Sequence, residues 1–502
     1  MSDEGDGVSM GILRLERRLL VLLFWMALGG AVTLLSVAVW WLNQKPTLSP
    51  WHTLTLTEEF TAHREVDDFD AYLALESALF AEKERKLASA LKGTEPVPFN
   101  RYFSGSRSDP AQWPQNWNRS FEWANPDAPL AVLLVHGMSD SPYYLSHLAR
   151  HFTRRAHVLG LRLPGHGTLP SALVDLRWQD LAAAVSLAVA HLKAQDSQRP
   201  VLLVGFSTGA ALALNHELAR LSEDQPVDLC AMVFVSPAIG LSPIAAGAAW
   251  QARLGRWLEL DKLAWESLSP EYHPFKYSSF PVNAADIVYR LIESNRSMIE
   301  QLDEERLATL PPMLSFNSII DETVDTGALL DSLYLTLAAD PDELVLFDVN
   351  RTWIDQQLLT QDPFQTYQGF FQRSSLPFRT TLVENRGPGD RRVHAREFPS
   401  QQTEELNLSW PERVHSLSHV GLPIAESDPL LGPHQDPERE HVYLGHAAIS
   451  GEKGMFVIPS SEVLRQKWNP FFSYMTQRID AFTGHCQAKG EVTGVGEEVA
   501  AQ

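Results

Sequence analysis

A serine flanked by glycines, directly after a short apolar run, constrains the fold of this chain more than any other feature. The run covers residues 201–204, and the motif Gly-Phe-Ser-Thr-Gly covers residues 205–209 with Ser207 at its centre. Such a serine lies at a sharp turn between a buried strand and a helix, in strained backbone geometry. The glycines are needed because the two backbones approach too closely for side chains. Residues 210–218 begin with small residues and continue with helix formers, so the sequence predicts a nucleophile elbow.

Short apolar runs alternate with helical segments along the middle of the chain. Continuous apolar runs are typical of strands that are covered on both faces, and their alternation with helices implies parallel pairing. The predicted strands cover residues 130–135, 157–163, 200–204, 230–235, 313–320 and 343–347, with a helix over residues 178–192. The predicted fold class is therefore α/β, with a mostly parallel central sheet flanked by helices.

The region after the strand that follows the elbow loses this alternation. It is rich in aromatic residues and contains Trp250, Trp257, Trp265, Tyr272, Phe275 and Phe280. We interpret it as an inserted helical cap, which either supplies an apolar acyl pocket or is an ordinary packed subdomain. A helix is also predicted over residues 67–91. The predicted organisation is a tail (1–18), an anchor (19–42), a linker and helical segment (43–98), the core's first part (99–236), the cap (237–310), the core's second part (311–480) and a C-terminal tail (481–502).

An uncharged apolar stretch near the N-terminus predicts a transmembrane helix. Residues 19–42 are long enough to cross about 30 Å of hydrocarbon, and no cleavage pattern follows them. The stretch has no polar face, which disfavours a buried core helix. Arg14, Arg17 and Arg18 precede it and only Lys45 closely follows, so we expect a cytoplasmic N-terminus. The prediction is a single-pass membrane protein with its catalytic domain outside, in the periplasm of a bacterium.

Charge and cysteine content exclude some classes of partner. The formal net charge of −21 argues against nucleic acid, whose phosphates would be repelled. The two cysteines are Cys230, in a predicted strand, and Cys486, in the tail, and a disulfide between them is not expected. A polar stretch over residues 434–446 matches no established spacing of metal ligands. We expect a solvated loop there and predict no metal site.

The strand over residues 130–135 ends in a sequence suited to binding an oxyanion. His136, Gly137 and Met138 follow it, and the glycine allows a tight turn. We expect the backbone N–H groups of Met138 and Thr208 to point at a carbonyl oxygen that is attacked by Ser207.

The acid and the base that such a serine requires are predicted from strand ends and chain order. Asp321 directly follows a predicted strand, where parallel sheets assemble their sites. Glu322 and Asp325 are its rivals, although either could instead cap the next helix. His419 is favoured over His415 as the base because it lies at the end of the apolar alternation.

Several of these segments together resemble one known superfamily. Residues 134–142, 161–168 and 205–209, with Asp321 and the Ser418-His419 pair, resemble the α/β-hydrolase superfamily and its carboxylesterase, monoacylglycerol lipase and lysophospholipase branch. The resemblance covers residues 118–474. It implies Ser207 as nucleophile, His419 as base, Asp321 as orienting acid, and Met138 with Thr208 as oxyanion donors. It also implies no metal or organic cofactor.

The implied activity is the cleavage of acyl esters through a covalent acyl-enzyme intermediate. The expected substrate is a small-molecule or lipid ester, with the N-terminal helix holding the enzyme at a membrane. An amidase, a thioesterase or a transacylase would use the same residues, and a non-catalytic scaffold is a further alternative. His136 and His166 are expected to form hydrogen bonds within loops. Residues 350–410 and the chain after His419 carry no motif with an assigned role.

Overall fold

The computed structural model describes residues 18–30, 32–33, 36–37, 40, 44–240, 261–352, 362–436, 440–445 and 465–486. The β-strands are β1 Phe121–Trp123, β2 Ala131–Val135, β3 His157–Leu161, β4 Val201–Phe206, β5 Ala231–Val235, β6 Trp265–Ser267, β7 Phe280–Pro281, β8 Met313–Ser318, β9 Glu343–Phe347, β10 Arg379–Gly387, β11 Asp390–Phe398 and β12 Thr403–Ser409. From residue 44 onward, the described α-helices are α1 Pro50–Thr53, α2 Phe69–Ala90, α3 Ser146–Phe152, α4 Trp178–Gln195, α5 Thr208–Ser222, α6 Val282–Gln301, α7 Glu304–Leu307, α8 Thr326–Ala328, α9 Leu335–Leu337, α10 Pro363–Thr366, α11 Gln368–Phe371 and α12 Phe472–Phe482.

A single twisted sheet organises the described part of the chain. Its strand order is β1-β3-β2-β4-β5-β8-β9-β10-β11-β12. The strands from β3 to β10 in that order pair in parallel, whereas β1 is antiparallel at one edge and β11 and β12 are antiparallel at the other. The predicted mostly parallel sheet is therefore confirmed. The carboxyl ends of β4, β5 and β8 lie side by side, which is where ligand sites form in parallel sheets.

Side chains on both faces of the sheet are buried, so the strands read as continuous apolar runs. On one face, Leu133 and Leu203 pack with residues of α2, α4, α5 and α6. On the other face, Val132 and Leu202 pack with residues of α3 and α12. These two layers hold the elbow strand β4 at the centre of the core.

The region over residues 350–410, for which no role was assigned, contributes three strands to the sheet. β10 extends the parallel set beside β9, and β11 and β12 continue it as an antiparallel meander. β11 and β12 lie near the sheet edge with one face in solvent, so they contain charged residues. A search for continuous apolar runs therefore did not detect them.

The predicted cap is only partly within the described residues. Its described part contains the short β6–β7 pair and helix α6, which packs against the elbow helix α5. Asn295 on α6 donates to the carbonyl of Ala211 on α5 at 2.9 Å. Trp250 and Trp257 lie outside the described residues.

The predicted transmembrane anchor over residues 19–42 is wrong. No helix among the described residues is long and apolar enough to cross a membrane, which takes about 20 consecutive apolar residues. The single-pass topology, with a cytoplasmic N-terminus and an external or periplasmic catalytic domain, was inferred from that anchor and falls with it. The helix predicted over residues 67–91 is confirmed as α2.

The expectation that Cys230 and Cys486 would stay unpaired is also wrong, because they form a disulfide. Cys230 directly precedes β5, and Cys486 follows α12. Helix α12 packs on the sheet face to which Cys230 belongs, so the fold brings together two residues that are 256 positions apart. Sequence spacing carried no sign of this long-range packing.

Candidate active site

The motif around Ser207 forms a strained turn between β4 and α5. Ser207 has φ 53° and ψ −114°, a region that residues with a Cβ rarely adopt. A Cβ on Gly205 would lie 2.4 Å from the nitrogen of Ala210, and one on Gly209 would lie 2.0 Å from the carbonyl oxygen of Val135. Both glycines are therefore required by close backbone contacts. The Ser207 N–H donates to the carbonyl of Val235 on β5 at 3.0 Å, which ties the turn to the next strand.

The loop after β2 packs directly against the serine. A Cβ on Gly137 would lie 2.8 Å from Oδ2 of Asp140 and 3.1 Å from the Cβ of Ser207, so a side chain at this position would be crowded. Met138 follows Gly137 and lines the same cavity as Ser207 and Thr208. Within the described chain no acceptor is recorded for the N–H of Met138 or of Thr208. Thr208 is the first residue of α5, where the N–H groups have no partner in the helix and the helix dipole is positive.

His419, which lines the same cavity, forms a buried pair with Asp321. His419 Nδ1 lies 3.0 Å from Asp321 Oδ2, and the side chains are 5% and 0% exposed. The other carboxylate oxygen accepts the N–H groups of Thr323 at 2.8 Å and Val324 at 3.1 Å. Burial by itself raises the pKa of Asp321, but the charge and hydrogen bond of His419 and these two N–H groups outweigh it. The net pKa of Asp321 lies below its usual range, which favours the ionised carboxylate.

The alternative candidates for the acid and the base are a helix cap or are exposed. Asp325 accepts the N–H groups of Gly327 and Ala328 at the start of α8, as the capping alternative predicted. The side chains of Glu322 and His415 are exposed. His419 does not end a strand, as the sequence argument assumed, but begins a short 3₁₀ turn in a loop. Its identity as the partner of Asp321 depends on contacts that this argument did not use.

A cavity of about 520 Å³ joins these groups. Ser207 and His419 both line it, and the ring of His419 lies 5.1 Å from that of Phe206. No hydrogen bond between Ser207 and His419 is present among the described residues. Such contacts are often long in unliganded sites and tighten when substrate binds. Apolar lining comes from the cap side and from the loop after His419, including Phe280, Val288, Val420, Leu431 and Leu444.

Sequence reasoning missed a charged pair in this cavity. Lys276 from the cap lies 2.5 Å from Asp140, which belongs to the loop after β2 and is 3% exposed. The adjacent Tyr277 donates its N–H to the carbonyl of Ser139 at 2.9 Å. The sequence does show a charged residue, Asp140, directly after the His-Gly-Met-Ser segment. Its partner could not be predicted, because Lys276 lies 136 positions away.

The two motif histidines form hydrogen bonds within loops. His136 Nδ1 lies 2.8 Å from the carbonyl of Gly137, and its Nε2 accepts the N–H of Leu163 at 3.1 Å. His166 Nδ1 lies 2.8 Å from the carbonyl of Pro164. Burial lowers the pKa of His136 well below its usual range and that of His166 to about 4. Both rings are therefore neutral at pH 7.

The polar stretch over residues 434–446 is described only in part, since residues 437–439 and 446 lie outside the described chain. Its His441 stacks on Trp113 with ring centroids 5.0 Å apart, and its Nδ1 lies 3.3 Å from Oε1 of Gln112. At least this member of the stretch packs against the body of the protein.

Comparison with known proteins identifies the family. A model of the Alpha/beta hydrolase family matches residues 132–420, which is more than half of the chain and includes Ser207, Asp321 and His419. The chain belongs to the alpha/beta hydrolase family. The resemblance inferred from the motifs is thereby confirmed.

Three similar proteins are described as lipases or lipolytic enzymes. A thermostable monoacylglycerol lipase from Bacillus sp. (strain H-257) is 26% identical over 220 residues, covering 44% of this chain and 81% of that protein. The monoacylglycerol lipase of Paleococcus ferrophilus is 19% identical, covers 46% of this chain and 88% of its own, and has a TM-score of 0.35. A structure described under LipS and LipT, two metagenome-derived lipolytic enzymes, is 22% identical over 46% of this chain and 87% of its own, with a TM-score of 0.34. The chain is an alpha/beta hydrolase that resembles the monoacylglycerol lipase and esterase branch.

Proposed function

We propose that this protein is a serine hydrolase that cleaves acyl esters, with Ser207 as nucleophile, His419 as base and Asp321 as orienting acid. The observation that carries the proposal is the buried pair of His419 and Asp321, whose histidine lines one cavity together with a serine held at positive φ. A strained backbone of this kind persists only where the surrounding structure enforces it. The elbow presents a hydroxyl to the cavity, and a base already oriented by a carboxylate faces it.

The proposed reaction has two acyl-transfer steps. Ser207 Oγ attacks the ester carbonyl carbon while His419 takes its proton, and the N–H groups of Met138 and Thr208 hold the resulting oxyanion. His419 then gives the proton to the leaving alcohol, and the carbon–oxygen bond to that alcohol breaks. Water attacks the acyl-enzyme with His419 again as base, which releases the carboxylic acid and restores Ser207. Asp321 stays ionised and keeps the imidazole proton on Nδ1.

The size and lining of the cavity suit an ester of small-molecule size with an apolar acyl chain. Its volume of about 520 Å³ falls within the range of about 300–1,000 Å³ that is usual for small-molecule sites. Apolar residues such as Phe280 and Val288 lie on the cap side, where an acyl chain would avoid water. The similarity to a Bacillus monoacylglycerol lipase supports monoacylglycerols as the first substrates to examine.

The nucleophile is tested with a fluorophosphonate probe, which reacts with activated serines. We expect the wild-type protein to be labelled and Ser207→Ala to remain folded but unlabelled. Ser222→Ala is the matched control, because Ser222 lies at the far end of the same helix and donates only to the carbonyl of Leu218. Labelling of Ser207→Ala at the wild-type rate would refute the assignment.

The substrate class is tested with a panel of p-nitrophenyl esters from acetyl to palmitoyl, beside a monoacylglycerol, a triacylglycerol, an anilide and a thioester. We expect the esters and the monoacylglycerol to be hydrolysed faster than the other three. Faster turnover of the anilide or the thioester would indicate an amidase or a thioesterase. No turnover of any compound would favour a non-catalytic scaffold.

A further inference from the structure

A buried cluster of charges lies outside the site described above. Arg162 follows β3 and its side chain is 1% exposed. Its guanidinium lies 3.0 Å from Oε1 of Glu59 and 2.9 Å from Oε2 of Glu76, on α2. Tyr72, also on α2, donates its hydroxyl to the carbonyl of Arg162 at 2.6 Å. Residues 59–76 precede the segment that matches the alpha/beta hydrolase family, so this cluster joins an additional N-terminal segment to the family core.

The loop that begins at Arg162 contacts the segment of the candidate oxyanion site through hydrogen bonds. Arg162 Nη1 donates to the carbonyls of Leu163 at 3.3 Å and His166 at 3.1 Å. The N–H of Leu163 in turn donates to Nε2 of His136 at 3.1 Å. Because Nε2 is an acceptor, the ring proton is on Nδ1, and it is donated to the carbonyl of Gly137 at 2.8 Å.

The contact of His136 with the Gly137 carbonyl, which also accepts the N–H of Asp140 at 3.3 Å, helps to fix the direction of a backbone donor. The carbonyl of Gly137 and the N–H of Met138 belong to one peptide group, which is planar and points these two groups in opposite directions. Holding the Gly137 carbonyl on His136 therefore holds the Met138 N–H toward the cavity. If the loop that begins at Arg162 moved, the hydrogen bond from Leu163 to His136 would be lost. The His136 ring could then turn, and the Gly137–Met138 peptide would no longer be held in one orientation.

We propose that Glu59 and Glu76 are positioning residues, which orient the oxyanion donor Met138 through Arg162, Leu163 and His136. The proposal depends on the proposed function, since an oxyanion donor requires an acyl-transfer reaction. Two carboxylates contact the buried guanidinium, where a charged hydrogen bond is strong and its loss leaves a buried charge unpaired. The N-terminal segment thus contributes to the rate of the reaction although none of these side chains lines the cavity.

The test compares Glu76→Gln with Glu82→Gln, two substitutions on the same helix. Glu82 is also buried and accepts N–H groups from Thr57 and Glu58, but it has no contact with Arg162. Both variants should lower the melting temperature by similar amounts. For p-nitrophenyl ester hydrolysis, we expect Glu76→Gln to lower kcat about tenfold with little change in KM, a fraction of what deleting an oxyanion donor does. Glu82→Gln should keep the wild-type kcat.

Affinity for a boronic acid inhibitor, which mimics the tetrahedral anion, separates oxyanion positioning from other causes. The affinity for the boronate should fall in Glu76→Gln in proportion to kcat. Glu76→Asp keeps the negative charge, so its kcat and its boronate affinity should both lie between those of Glu76→Gln and the wild type. If Glu76→Gln does not fold, Glu59→Gln replaces it, since the side chain of Glu59 is 13% exposed.

The outcomes distinguish this inference from the proposed function. Equal kcat in Glu76→Gln and Glu82→Gln, or a lower kcat with unchanged boronate affinity, would overturn the positioning role alone. An inactive wild-type protein whose Ser207 is not labelled would overturn the proposed function and the inference together.

Discussion

The elbow that carries Ser207 and the loop that carries His419 are built in different ways. The elbow takes its strand, turn and helix from residues 201–222, which are continuous in sequence. The loop over residues 417–424 has no strand, and distant residues hold it. Ser418 donates its hydroxyl to the carbonyl of Gln466, and Asn469 donates to the carbonyls of Leu422 at 3.0 Å and Ile424 at 2.8 Å.

This difference determines which kind of substitution should disturb each half of the site. In the elbow, backbone atoms pack so closely that a single added methyl group cannot fit. In the histidine loop, Leu417, Leu422 and Ile424 pack in the core, and polar contacts with the chain that leads into α12 hold the backbone. The elbow should therefore fail through steric overlap, and the loop through the loss of long-range contacts.

The largest expected effect comes from Asp321→Asn, which leaves the elbow intact and changes the partner of His419. An amide can donate to the imidazole, so the ring would adopt the wrong tautomer. We expect kcat to fall by about 10³- to 10⁴-fold, the size of effect known for such a change in a serine triad. Steady-state kinetics with a p-nitrophenyl ester measures it.

Glu322→Gln is the matched control for that variant, because Glu322 is adjacent and its side chain is exposed. Its kcat should stay within about twofold of wild type, as is usual for surface substitutions. A similar loss in both variants would show that the charge of this loop matters, and not the contact of Asp321 with His419.

The disulfide joins the two regions, and its removal should affect them unequally. Cys230 precedes β5, which supports the elbow, whereas Cys486 closes the segment that holds the histidine loop. We expect Cys486→Ser to lower the free energy of unfolding by about 2–5 kcal/mol. Hydrogen exchange should show greater loss of protection at residues 417–424 than at residues 201–222.

Reducing agent provides the control for this prediction. It should shift the unfolding midpoint of the wild-type protein toward that of Cys486→Ser, and it should leave the variant unchanged. Equal loss of protection in both regions would contradict the difference drawn here between them.

The contrast also explains how far the sequence could be interpreted. The elbow, the alternation of strands and helices, and the glycines around Ser207 follow from local sequence rules. Asp321 was predicted from its place at a strand end, because a parallel sheet brings strand ends together, and it contacts His419. The pairing of Cys230 with Cys486, the strands β10 to β12 and the Lys276 contact with Asp140 depend on packing between distant segments. The rejected anchor over residues 19–42 rested on the length and apolar composition of that stretch and on the charges that flank it.

A methyl group added to each region should measure the difference in packing directly. Gly209→Ala would place a Cβ 2.0 Å from the carbonyl of Val135, and neither backbone can move without disrupting the sheet. We expect a loss of stability of about 3 kcal/mol, the upper part of the usual range for overpacking. Gly421→Ala places a Cβ 3.0 Å from the carbonyl of Gln466, and a small shift of the loop relieves the contact. Denaturant unfolding should therefore show a smaller loss for Gly421→Ala, and the reverse order would contradict the proposed rigidity of the elbow.

The smallest expected effect is that of Ser418→Ala, which removes one of the polar contacts holding the histidine loop. Its hydroxyl donates to the carbonyl of Gln466 and accepts the N–H of Gly421 at 3.2 Å. Losing a hydrogen bond of this kind usually reduces stability by about 1 kcal/mol. Because His419 is the next residue, kcat should fall more than stability alone explains, whereas Ser207 should keep its elbow geometry and its expected reaction with the fluorophosphonate probe. An unchanged kcat together with the expected loss of stability would mean that the position of His419 is set by Asp321 and Phe206 rather than by the loop.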